Sequence, residues 1–290
     1  MSKRALRSLA TGALAAALAI SQPAAAVGAA RPKPQRILSM HLCADMLLLQ
    51  LVPKSRIAGV TYLAHDGAQA LFPGADAGIA VNHGTAEDII RLKPDLILAD
   101  SFSTPLTRRL AKAIGAPILE VDYATSFDDI RRNLRQVGAA VGEPARAETL
   151  VAGMDADLVR IATPPVGGPV RVIAWSGGDS VPGRGTLSGR IIEAAGAVNI
   201  AARPGQAYAT LDVEQVLAAR PAALLYGGLG PRRPSLRGEE SQHRALRQAY
   251  PGRRIAFSDV AHTCGLPQSA RSALELRRAL DALPADGARP

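Results

Sequence analysis

Two histidine–cysteine pairs carry the most reactive side chains in the chain: His41-x-Cys43 and His262-x-Cys264, which contain its only two cysteines. Two thiols and two imidazoles are the donors of a tetrahedral S2N2 site. They suit a soft or borderline metal, or a metallated ligand, with His41, Cys43, His262 and Cys264 as the metal ligands. The same residues admit two other readings. Cys43 and Cys264 can be separate buried thiols, since free cysteine behaves as a small hydrophobe. They can also form a disulfide, provided the chain is exported. His65 and His83 fall in a stretch rich in Gly, Ala and Asp, where an imidazole is either solvated or poised to titrate near neutral pH. Arg184, between Gly183 and Gly185, offers a planar cation to an anionic group.

No enzymatic motif accompanies these groups. The sequence holds no nucleophile elbow, no HExxH and no phosphate loop, and Gly177-Gly178 after a strand is too little for a nucleotide site. The chain is therefore read as a non-enzyme with no intrinsic cofactor. The formal net charge of +9 raises nucleic acid as a partner. The arginines, however, are dispersed over helix-like segments, as at Arg131, Arg132 and Arg135, and no nucleic-acid partner is expected.

Residues 1–30 read as a signal peptide. Lys3, Arg4 and Arg7 precede the apolar run Leu9–Ile20, which is too short to span a bilayer, and Ala24-Ala25-Ala26 follows Pro23. Cleavage near residues 26–30 would deliver the chain outside the cytoplasm, where a disulfide is permitted.

The elements that position the reactive groups are short apolar strands alternating with helices. Arg36–Ser39, Ile57–Val60, Asp95–Ala99 and Pro117–Val121 read as strands, and residues 62–84 as loop. From Ser126 to Ala162 only helical spacing appears, interrupted at Gly142-Glu143-Pro144, and the strand pattern resumes at Val170. The fold class is α/β: two Rossmann-like lobes with parallel sheets. The expected boundaries are lobe one at 31–125, a linking helical segment at 126–165 and lobe two at 166–290. His41 and Cys43 then follow the first strand, and Cys264 lies in a loop after the last. The halves repeat one unit. Glu87-Asp-Ile-Ile-Arg-Leu-Lys-Pro94 leads into an apolar strand, and Glu214-Gln-Val-Leu-Ala-Ala-Arg-Pro221 does the same. Two such lobes leave a cleft, and clefts between lobes favour ligands.

Ala86–Ile97 is similar to the "LE-x-I-x-x-L-K-P-D-L-V/I" segment of the periplasmic binding proteins of ABC importers for iron-siderophores, haem and cobalamin. The likeness extends over residues 35–285, through Ile37–Leu49, Gly185–Asn199 and Leu211–Leu225. The resemblance implies two lobes joined by a long backbone helix, with the ligand cleft between them. It implies a metal chelate as ligand (iron-siderophore, cobalamin or haem) and an ABC permease dimer as partner of a monomer. Glu87 and Glu214 match the family's permease-docking glutamates. Around the cleft it implies His41, Cys43, Tyr62, His65, His83, Trp175, Arg184, Tyr208, His262 and Cys264. After the first strand the family often reads Ser-Pro-x-x-Thr-Glu, where this chain reads Met40-His41-Leu42-Cys43-Ala44-Asp45.

Overall fold

The structure is a computed structural model that describes residues 32–283 apart from 102–104, 166, 176–180, 227–242 and 258. The elements below belong to the compact unit Lys33–Pro290. The expected signal segment, and the glycine-rich turn after Trp175, lie outside the described residues.

Lobe one is built on a parallel sheet of order β3-β2-β1-β4-β5. Its strands are β1 (Ile37–Ser39), β2 (Ile57–Thr61), β3 (Val81–Asn82), β4 (Leu96–Ala99) and β5 (Ile118–Glu120). β1 and β4 are buried along their whole length, as strands covered on both faces must be. The covering helices are α1 (Leu42–Leu51), α2 (Ala64–Leu71), α3 (Ala86–Leu92) and α4 (Pro105–Ala113).

The stretch read as loop over 62–84 therefore contains a helix and a strand. The small residues that disguised α2 are what let it approach α1. A Cβ on Gly67 would lie 3.0 Å from Met46 Sδ, and Ala64 and Ala68 are buried.

The linking segment consists of α5 (Phe127–Ala140) and α6 (Pro144–Arg160), which lie against each other. Gly142, at φ +74°, breaks the chain between them, and Pro144 suits the first turn of α6. Buried Arg56 holds this turn: it donates to the Glu143 carboxylate (2.7 Å) and to the Val141 carbonyl. The 17 residues of α6 extend about 25 Å and form the long helix of the link.

Lobe two carries the parallel sheet β11-β10-β6-β8, with β6 (Val170–Ala174), β8 (Ala197–Asn199), β10 (Ala223–Tyr226) and β11 (Arg254–Ala256). A small antiparallel ribbon joins β7 (Val181–Pro182) to β9 (Tyr208–Ala209). The helices here are α7 (Leu187–Ala194), α8 (Val213–Ala219), α9 (Arg244–Ala249), α10 (Asp259–Cys264) and α11 (Gln268–Asp281). Cys264 thus ends a helix, where a loop was expected.

The repeat is structural. β1 lies beside β4, and β6 beside β10, in matching order. Asp95 N–H donates to the Arg36 carbonyl, and Ala222 N–H to the Arg171 carbonyl. One apolar cluster runs without a break from Ile37 and Leu47 in lobe one, through Cys43 and Cys264, to Leu274 and Leu276 in lobe two.

Candidate functional site

In a parallel α/β sheet, ligands meet the carboxyl ends of the strands. In lobe one that edge carries an aromatic and imidazole group. Tyr62 follows β2 and His83 follows β3, and their rings stack with centroids 5.3 Å apart at 23°. Both side chains are exposed. The pair is held from below. Asn82 donates to the Ser39 carbonyl at 2.8 Å, which ties β3 to β1, and the Asp88 carboxylate accepts from His83 N–H at 2.8 Å.

His41 follows β1 and caps α1 in an extended conformation. Its ring lies 6.1 Å from that of Tyr123, and the Tyr123 hydroxyl donates to Asp100 at the end of β4 (3.4 Å). Burial lowers the His41 pKa, partly opposed by the charge of Asp100. Burial also raises the Tyr123 pKa, and Asp100 adds to that rise. A neutral imidazole and a protonated phenol result. Among the described residues neither ring nitrogen of His41 has a hydrogen-bond partner.

Deeper in, Asp45 is fully buried in the first turns of α1. Burial pushes its carboxyl up to about 6, against hydrogen bonds from Ser39 and Thr61. Thr61 donates through both its backbone N–H and its hydroxyl, which pins α1 to β2.

Cys43 and Cys264 form a disulfide, with Cα atoms 4.7 Å apart. This corrects two readings. The cysteines are not separate thiols, and the S2N2 metal site is absent because the two sulfurs bond each other. The histidines do not converge on them either. His262 and Cys264 lie two residues apart on α10, so their side chains point to different sides. The His262 ring instead rests on Phe257 with centroids 3.6 Å apart, and burial lowers its pKa to about 3. Among the described residues no group of three or more His, Cys, Asp or Glu could hold a metal ion.

The other expected cleft residues have different surroundings. Trp175 is 4% exposed and packs among Ile173, Val181 and Leu246 in lobe two. His65 is exposed on α2 and meets Asp76 at 2.9 Å. Arg184 is exposed in a shallow pocket with Asn199 and Glu193, beside the edge strand β8. Tyr208 is exposed on the β7–β9 ribbon. Asp100 and Tyr123, by contrast, were not anticipated. Their only sequence signal is their place just after an apolar strand.

Glu87 and Glu214 are exposed at equivalent points. Each is the second residue of a seven-residue helix with a capping box, Thr85 with Asp88 in α3 and Asp212 with Gln215 in α8. Each helix ends in a left-handed residue, Lys93 or Arg220. Caps at both ends fix where each glutamate stands on the surface.

The sequence pattern described as "Periplasmic binding protein" matches residues 66–243. A cobalamin-binding protein of Halobacterium salinarum is 25% identical over 204 residues, covering 67% of this chain and 54% of that protein. A vitamin B12-binding protein of Pectobacterium carotovorum is 31% identical over 149 residues, covering 49% and 53% respectively. The chain spans about half the length of these curated relatives. Among solved structures, the periplasmic heme-binding protein RhuT of Roseiflexus sp. RS-1, in apo form, superposes with a TM-score of 0.64 at 26% identity, over 84% of this chain and 97% of that one. The heme-binding protein HutB of Vibrio cholerae, at 18% identity, shares the fold with a TM-score of 0.68, over 85% and 98%.

Proposed function

Because the chain belongs to the periplasmic binding protein family, we propose that it is the solute-binding component of an ABC import system, taking a metal chelate between its lobes and passing it to a permease dimer. The observation that carries the ligand class is the Tyr62–His83 stack at the carboxyl edge of lobe one. It presents a flat π surface at the same sheet edge that carries the buried imidazole of His41, which suits a planar metal macrocycle such as a corrinoid or haem. The cobalamin- and haem-binding relatives support the same class. Titration with cyanocobalamin, haemin and a ferric siderophore, followed by absorption and calorimetry, tests it. Saturable binding of a macrocycle is expected. Binding of the siderophore alone would reassign the ligand, and binding of none would sink the proposal.

Delivery rests on Glu87 and Glu214. Two carboxylates at equivalent points of a repeated unit match a partner with two-fold symmetry carrying paired cations. The E87A/E214A protein should keep its ligand affinity and lose uptake in cells that depend on it; retained uptake would remove the docking role. The protein is assigned to the periplasm as a monomer. N-terminal sequencing of the secreted form should read from a residue between Val27 and Arg31. Among the described residues no helix is long and apolar enough to cross a membrane.

A further inference from the structure

The interlobe seam is closed by a covalent bond. α10, which belongs to lobe two, lies against α1 and α2 of lobe one as well as α7 and α11 of its own lobe. The Cys43–Cys264 disulfide joins α1 to α10 across this seam, linking residues 221 apart in sequence, and both cysteines are buried. Two further contacts reinforce it. Gly265, at φ +61°, lets lobe two approach so closely that a Cβ there would sit 2.3 Å from Ala124 Cβ in lobe one. Gln268 donates to Gln50 at 2.8 Å, again from lobe two to lobe one. Cys43 lies in the first turn of α1, directly after the carboxyl end of β1, and α10 follows the carboxyl end of β11. The bond therefore joins the helix that follows the carboxyl end of β1 to the helix that follows the carboxyl end of β11.

We infer that the Cys43–Cys264 disulfide is a specificity-determining clamp, which fixes the gap between the two carboxyl edges and so sets the thickness of ligand the cleft accepts. The inference rests on the cleft reading given above. The chain itself passes between the lobes through α5 and α6; the disulfide adds a covalent link at the packed seam. The sulfurs act by position and do not touch the ligand.

The ligand-free test compares the intact protein, the C43A/C264A variant and intact protein reduced after folding. Reduction uses a phosphine, which breaks the S–S bond, leaves two thiols and is itself oxidised to its oxide with an oxygen from water. Scattering should show a larger radius of gyration for both opened forms. Hydrogen exchange of α1 and α10 amides should speed up by about tenfold or more. Unchanged scattering and exchange in both forms would overturn the clamp. In the ligand arm, the ratio of affinities for cyanocobalamin and haemin should shift by about fivefold or more once the clamp is open, and an unchanged ratio would overturn its role in specificity. If neither compound binds any form, the macrocycle assignment fails, and the clamp is then judged on scattering and exchange alone.

Discussion

Lys93 and Arg220 adopt the same left-handed backbone conformation, at φ 45° and φ 47°, each closing a seven-residue helix and each followed by a proline. Among the described residues they are the only non-glycine positions with positive φ. A side chain in that region costs about 1–2 kcal/mol. Both side chains point into solvent, so Lys93→Gly and Arg220→Gly should each stabilise the protein by about 0.5 kcal/mol, once the added freedom of the unfolded chain is counted. Lys93→Val should cost about 1 kcal/mol or more. Urea denaturation measures both signs, and a stabilising valine would refute the strain.

Asp45 and His262 give opposite pH dependences. The folded pKa of Asp45, about 6, lies above its ordinary 3.8. Its contribution to stability is therefore complete below pH 3.8 and is lost as pH rises through 6. The folded pKa of His262, about 3, lies below 6.5, so its contribution is present above pH 6.5 and is lost as pH falls towards 3. Asp45→Asn should therefore lose stability more steeply than the parent between pH 6.5 and 4, and His262→Phe less steeply. Parallel curves from urea melts across that range would contradict both assignments.

Gly265→Ala should be among the most damaging single-methyl additions in the chain. It combines a φ of +61° with a 2.3 Å approach to Ala124 Cβ. Left-handed strain and overpacking together predict a loss of about 2–4 kcal/mol. A thermal melt within a degree of the parent would show that the seam yields easily.

Tyr62 and Trp175 separate ligand capture from folding. Tyr62 is 58% exposed, so Tyr62→Ala should leave the melting temperature nearly unchanged. It should weaken macrocycle binding by about tenfold through loss of a stacking face. Trp175 is buried, and Trp175→Ala should cost about 3–5 kcal/mol of stability while sparing the affinity of the folded fraction. Calorimetry beside denaturation distinguishes the two, and reversed effects would exchange their roles.

What the sequence reveals follows the range of the interaction. Glu87 and Glu214 were legible because caps, helix and proline are encoded within a few residues. Helix α2 was hidden because Gly67 and Ala68 favour it only through α1, an element distant in sequence. Asp100 and Tyr123 come together only once β4 and β5 are neighbours, a fact of strand order. Trp175 looked like a pocket aromatic by type, whereas its place is set by the cluster around Ile173 and Leu246. The pairing of Cys43 with Cys264 stayed one of three readings, because no local signal joins residues 221 positions apart.

The same bond makes most of the folded chain a covalent ring. A protease that cuts once anywhere between Cys43 and Cys264 produces two peptides that still travel as one molecule, and only a reductant releases them. In a compartment exposed to secreted proteases, damage of that kind would leave the particle whole, with both sheets and their carboxyl edges still tethered.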